Sequence, residues 1–486
     1  MVEVASGKIT RNTFYLTASY VVQKVLALVY FTFLARHFGT DGLGQYVFAL
    51  SFATMFSVVT DLGINAVITK ETAKNQRWGA ANLGYGLALK LMLAVLAYGG
   101  LFLAINLLGY PAAARNMVYL AGVFMLMDSF TTSFYAVFRG WQQIKYEGLG
   151  TILYQSIVLI IGGTFLIMDL PLIYFIGVFL FASFANFSLA SILLYRRGHF
   201  KFWPRFDREI IKKLLVLAAP FALAGIFTKI YSSADAVLLS KMAGNSAVGI
   251  YGSASKLTLA LQFIPAAFGA SIFPAFSNYY QNSRDQLAKT FEKSWRYLLA
   301  LALPISAGCI ALAPEIIQLI YGAKFSASAA PLQILMGSLG LIFLFYPLGA
   351  LLNGCDRQNL NTVNLGLAML VNILLNLLLI PVYSYLGASW AVLGSYLVLI
   401  GGGLIFASQI IDFRRLRLWR TLFKIAAAAI LMGLGVHFLK TQIYFLWLIV
   451  PAALIYALLL VWWRVISRED WQSLFKVIQL KFKIKS

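Results

Sequence analysis

Acidic residues are scarce in this chain. Asp and Glu number 17 in 486 residues, against 39 Lys and Arg, and they are scattered rather than clustered. Cysteine is nearly absent. Cys309 falls in an apolar run and Cys355 in a loop, so no disulfide is expected. His37, His199 and His437, the only histidines, have no spacing that would make a metal site. No Walker-type phosphate loop, nucleophile elbow or zinc motif occurs. These absences exclude ATP hydrolysis, and no cofactor is expected. An enzyme such as a membrane glycosyltransferase would need clustered catalytic acids in a sizeable extramembrane region, and every loop here is too short for one. Proline is rare early in the chain: nine of the twelve lie beyond residue 210.

Apolar sequence is what the chain has in excess. It is 61% hydrophobic and 12% charged, with a mean hydropathy of +0.81, whereas soluble domains carry roughly twice that charged fraction. A membrane span needs about 20 apolar residues. Fourteen such runs fall near 13–35, 45–66, 83–108, 113–138, 147–168, 171–195, 214–240, 247–277, 294–313, 328–352, 360–382, 386–411, 421–439 and 443–465. The expected fold is an all-α polytopic membrane protein of about fourteen transmembrane helices. No cleavable signal peptide is evident.

The formal charge of +22 invites a nucleic-acid reading, which its distribution excludes. With the N-terminus in the cytosol, 29 Lys and Arg lie in or at the edge of the cytosolic segments, 5 lie on the opposite side and 5 fall within spans. That asymmetry is the positive-inside pattern. It predicts a multi-pass protein of the cell (inner or plasma) membrane with both termini cytosolic.

The chain also repeats itself. Ala35 to Ala49 (ARHFGTDGLGQYVFA) is echoed 205 positions on by Ser240 to Ala254 (SKMAGNSAVGIYGSA), with Gly39/Gly244, Gly44/Gly249, Tyr46/Tyr251 and Ala49/Ala254 matching without a gap. A second echo pairs Gly140 in FRGWQQ with Gly354 in LNGCDRQ, so about nine residues are gained in the second half. Two pseudo-symmetric six-helix lobes follow, 1–200 and 201–412, joined by the basic segment Arg196 to Lys213. Six spans is an even number, so both lobes share one orientation as parallel repeats. Two further spans occupy 413–466. Residues 467–486 carry Trp471, Leu474, Phe475, Ile478 and Phe482 at helical spacing among lysines, the pattern of an amphipathic cytosolic tail on anionic lipid. The prolines of spans 7 to 10 are either fixed bends or the bending elements of a gating motion.

An ionisable group at the bilayer centre costs about 2.5–3.5 kcal/mol. Lys24 lies roughly 16 Å into the first span at 1.5 Å per residue, and in the 205-residue register it falls on Lys229. One reading pairs Lys24 with Asp128 or Asp61; the other places it against an anionic substrate in a water-filled cavity. Lys256 is a third candidate. Compact lysine charges suit a diphosphate and repel a cationic drug. Asp128, Asp235 and Asp61 are candidates for ion coupling or charge pairing, Asp61 also as an anchor at a helix end.

DGLGQYVFALSFATMFSVVTDLGINAVITKETA (Asp41 to Ala73), with its G-x-Y opening (Gly44, Tyr46) and D-L-G exit (Asp61, Leu62, Gly63), resembles the second span of polysaccharide and O-antigen flippases. These belong to the multidrug/oligosaccharidyl-lipid/polysaccharide exporter superfamily, which fourteen spans in 6+6 halves plus two also resemble. The resemblance implies alternating access of two lobes around a cationic cavity. It implies a lipid-linked oligosaccharide as substrate and membrane lipids as partners, and leaves open action alone or beside a polysaccharide polymerase and glycosyltransferases. Lipid II flippases usually show an S-R-x-L-G-x-x-R-D run in span 1, and TASYVVQKVLALVYFTFLARHFG stands in its place. The function expected is translocation of polyprenyl-diphosphate-linked oligosaccharide from the cytosolic to the outer leaflet. Arg11 at the cytosolic mouth would receive the head before Lys24 and Lys229. The alternative is a cation-coupled multidrug exporter.

Overall fold

A computed structural model describes residues 2–198, 203–416 and 418–465, without the side chains of 2–17, 77–81, 198, 220 and 415. The amphipathic tail and the Arg11 side chain fall outside the described residues. The rest is helical, with no strand among the described residues. Helix is one of the two architectures that satisfy the backbone internally in lipid.

The helices run in chain order α1 (Val2–Asp61), α2 (Ile64–Lys74), α3 (Gln76–Leu107), α4 (Ala112–Gly140), α5 (Lys145–Ile167), α6 (Leu172–Gly198), α7 (Arg208–Leu261), α8 (Phe263–Asn282) and α9 (Arg284–Ala311). There follow α10 (Ala313–Tyr321), α11 (Ala329–Gly337), α12 (Leu339–Gly354), α13 (Gln358–Tyr383), α14 (Tyr385–Ala407), α15 (Leu418–Leu439) and α16 (Phe445–Trp462). Asp207 caps the start of α7, its carboxylate accepting from the Glu209 and Ile210 backbone N–H at 2.9 and 3.1 Å. Such a cap satisfies donors that have no partner within the helix.

Twelve continuous segments among the described residues are long and apolar enough to cross a membrane. Two of them, Ala18–Asp61 of 44 residues and Phe221–Asn282 of 62 residues, have the length for two crossings. Each bends at glycine. Gly39 has φ 67° and ψ −166°, and Gly244 has φ 84° and ψ 176°. This left-handed, extended conformation is one that side chains with a Cβ avoid. Two bent pairs and ten single spans account for the fourteen apolar runs.

The repeat extends well beyond the two glycines. Left-handed backbone recurs at Gly109 and Gly322, at Gln142 and Asp356, and at Asp169 and Ser384. Those offsets are 213, 214 and 215 residues, against 205 at the bends. Most of the gain lies between α2, 11 residues long, and its counterpart α8, which has 20.

Contacts divide the chain into two compact units. One comprises residues 1–263, 320–331 and 362–395; the other comprises 264–319, 332–361 and 396–486. The first holds a core of Ile64, Leu87, Phe134, Phe138, Leu194 and neighbours. The second is built around Phe276, Phe291, Trp295, Leu351, Ile425 and Leu460.

Within the first unit, the seam between α1 and α7 is reciprocal. A Cβ on Gly44 would overlap the Asn245 carbonyl, and a Cβ on Gly249 would overlap that of Thr40, the residue 205 positions before Asn245. Ser246 Oγ donates to Thr40 Oγ1 at 3.0 Å. The two G-x-Y copies thus let two backbones touch, each at the other's bend.

Candidate functional site

α1 and α7 carry the three in-span lysines named from the sequence. Lys24 on α1 and Lys229 on α7 both have exposed side chains, and Lys256, on α7 beyond the Gly244 bend, is half-buried. The Lys256 ammonium sits 5.1 Å from the centroid of the buried Phe31 ring, a cation–π contact that offsets part of its desolvation. Polar Gln23 beside Lys24, and exposed Thr228 and Ser232 beside Lys229, extend both faces. None of the three lysines has a carboxylate within ion-pair distance among the described residues.

The carboxylates are engaged elsewhere. Asp61 lies 3.0 Å from the ammonium of Lys90, which is fully buried on α3. Lys90 also donates to Asn65 Oδ1 at 3.0 Å and to the Ser129 carbonyl at 2.7 Å. The pairing of Lys24 with Asp61 is therefore not formed. Asp61 also accepts from the Asn65 N–H at 3.3 Å, across the break at Gly63. Gly63 (φ 80°) lies against Phe221 and Ala218 of α7, where a Cβ would meet their atoms at 2.7 and 2.8 Å.

Asp128 does not pair with Lys24 either. Its Oδ1 accepts from Ser183 Oγ on α6 at 2.8 Å. Asp235 is buried, accepting from Tyr251 Oη and Asn376 Nδ2, both at 2.7 Å. Asn376 also donates to the Asn372 carbonyl at 2.9 Å. No group of three or more His, Cys, Asp or Glu that could hold a metal occurs among the described residues.

Sequence reading passed over a second charged group. Arg139, at the end of α4, places Nε 3.1 Å from Glu147 Oε2 at the start of α5. Tyr20 of α1 donates to Glu147 Oε1 at 3.4 Å, long for a hydroxyl–carboxylate bond. The usable signal was an acid and a base flanking one short polar turn. Asn364, Asn372 and Asn376, all buried in one apolar helix, were a comparable signal.

Two family models match the chain. One is described as polysaccharide biosynthesis protein and covers residues 9–280; the other, MatE, covers 220–378. The lipid II flippase MurJ of Bacillus subtilis is 22% identical over 488 residues, spanning 90% of this chain and 89% of that protein. The probable low-salt glycan biosynthesis flippase Agl15 of Haloferax volcanii is 25% identical over 169 residues, 35% of this chain and 36% of that one. The chain spans between 35% and 39% of the length of four of the curated relatives it matches, Agl15 among them. Among solved structures, a lipid II flippase MurJ in an inward closed conformation superimposes with a TM-score of 0.77 at 18% identity, covering 92% of this chain and 98% of that one. It shares the polytopic all-helical fold. With more than half of its length under one model and an all-helical architecture, the chain belongs to the polysaccharide biosynthesis protein family of flippases and transporters in the multidrug/oligosaccharidyl-lipid/polysaccharide exporter superfamily.

Proposed function

We propose that the protein carries a polyprenyl-diphosphate-linked oligosaccharide from the cytosolic to the outer leaflet by alternating access of the lobes 1–200 and 201–412. Both termini lie in the cytosol on this reading. One observation carries it: Lys24, Lys229 and Lys256 lie within membrane spans with no carboxylate in ion-pair distance among the described residues, while Asp61 and Glu147 are engaged by Lys90 and Arg139. At about 2.5–3.5 kcal/mol each, three such lysines cost roughly 8–10 kcal/mol. That is comparable with the whole stability of a domain, about 5–15 kcal/mol. A cost of that size is offset when the lysines face water and an anion binds them. A diphosphate offers an ionised oxygen on each phosphorus and is met well by compact ammonium groups. The polyprenyl tail stays in lipid while the head passes between the lobes.

The test is translocation of a fluorescent polyprenyl-diphosphate oligosaccharide in proteoliposomes. Protein-dependent movement is expected, along with its loss in the Lys24→Gln, Lys229→Gln double variant that still folds and inserts. Unchanged flux in that variant overturns the site assignment.

The MatE match over residues 220–378 favours a second reading, cation-coupled export of hydrophobic compounds. Export of cationic dye under a proton or sodium gradient, without movement of the glycolipid, would establish it. Asp128 and Asp235 are then the acids to replace.

A further inference from the structure

The corner between α4 and α5 is tied by the Arg139–Glu147 ion pair. The corresponding corner of the second half joins α12 to α13. It lies 214 residues on, and Gln142 and Asp356 share the same left-handed backbone there, φ 57° and 58°. In that register Arg139 falls on Asn353 and Glu147 on Asn361. These two are also joined, Asn361 Nδ2 donating to Asn353 Oδ1 at 3.2 Å. One corner is held by charges and its repeat by neutral amides. Holding the corner therefore does not require charge, and a buried ion pair is no better a fastener than neutral groups of similar shape. The charges at 139 and 147 call for another cause.

The guanidinium supplies it. Glu147, 9% exposed, faces Arg139 on the Nε side and compensates its charge. The terminal amines have no partner among the described residues, and the side chain is 35% exposed. A planar fork with an ion pair at Nε and its terminal amines unpaired among the described residues matches two oxygens of a phosphate. Tyr20 brings the same carboxylate to α1. Lys24 follows on that helix one turn further along, about 6 Å at 1.5 Å per residue.

We propose that Arg139, paired with Glu147, is a docking residue for the diphosphate head, which passes from it to Lys24. The dock exists in the first half alone, because the second half has amides in its place. Loading is therefore one-sided although the fold is two-fold. This rests on the flippase reading, and two independent readouts keep the two apart.

The variant Arg139→Asn, Glu147→Asn copies the amide pair that the protein already uses 214 residues on, so it preserves the corner without the charge. Binding of inorganic diphosphate to the purified full chain is measured by calorimetry, and glycolipid transport in proteoliposomes. The double variant is expected to bind diphosphate about tenfold more weakly, and to raise the transport KM by a similar factor with the maximal rate within about twofold, as loss of a charged bidentate contact implies. Arg139→Lys, with Glu147 kept, should restore part of the affinity. Wild-type affinity in the double variant overturns the proposal, as does absence of diphosphate binding by the unaltered protein. Diphosphate binding that depends on Arg139 without glycolipid movement leaves the dock standing and removes the flippase reading instead.

Discussion

Lys90 and Cys355 show how burial governs single residues in this chain. Lys90 is enclosed by Asp61, Asn65 and Ser129, so its replacement strands partners chosen for a cation. Lys90→Met is expected to cost about 2–4 kcal/mol, towards the low side of the range for a broken buried pair because the Asp61 side chain is 36% exposed. Thermal unfolding in detergent measures this, and Lys90→Met with Asp61→Leu should recover most of the loss. A recovery confined to the double variant separates this structural pair from Lys24 and Lys229. Neutralising those two should stop transport without lowering stability. Cys355, in the turn after α12, is buried, and burial pushes its thiol up to about 11, with Arg284 pulling it down and Asp356 pushing it up. The thiolate is the reactive form. Maleimide labelling of Cys355 in the folded protein should therefore stay slow at pH 7 to 8 and quicken as pH climbs towards 11, while the unfolded chain labels readily near neutrality. Fast labelling of the folded protein at pH 7 would contradict the burial.

The bent pair α1 and α7 sets the mechanics at the scale of elements. Gly244 and Gly249 lie five residues apart on one helix, yet they are glycine for different reasons. A Cβ at Gly244 would meet nothing within 4 Å, so Gly244→Ala pays only for its positive-φ, extended backbone, about 1–3 kcal/mol. A Cβ at Gly249 would run into the Thr40 backbone. Gly249→Val therefore forces α1 and α7 apart. Overpacking of this kind costs typically about 1–3 kcal/mol, and here the expected consequence is mechanical as well. A cysteine pair Thr40→Cys, Ser246→Cys, at positions whose hydroxyls lie 3.0 Å apart, should crosslink readily in the Gly244→Ala background and poorly in the Gly249→Val background. Equal crosslinking in both would mean that the seam is not set by backbone contact. Prolines 274, 304, 347, 381 and 451 all lie inside helices. Each removes one backbone hydrogen bond and favours a bend at its position.

At the scale of the whole molecule, the repeat was legible because glycine leaves a mark in sequence where backbone conformation demands it. Gly39 and Gly244 were found by alignment and have nearly the same dihedral angles. The fourteen spans were legible from hydropathy, since lipid imposes one length on every crossing. The partners of the charges were not. Lys24 offered two acids at plausible depth, but which acid meets which base depends on helix rotation, and hydropathy does not report rotation. The Arg139–Glu147 pair escaped because its counterpart, Asn353 with Asn361, carries no charge to align with. The orientation proposed from the basic segments is open to direct measurement. In a background of Cys309→Ser and Cys355→Ser, a membrane-impermeant maleimide added to intact cells should label Lys324→Cys and spare Lys145→Cys, both of which are exposed side chains. The opposite pattern would invert the topology.

The seam between Gly44 and Asn245, mirrored by Gly249 and Thr40, has a consequence for descent. A contact in which one patch meets its own equivalent is isologous, the kind that closes symmetric dimers. Each half carries both sides of it, a glycine to receive and a bend to present. Two separate copies of an ancestral half would already have possessed the means to meet there, so fusion into one chain had only to make permanent a partnership that symmetry supplied.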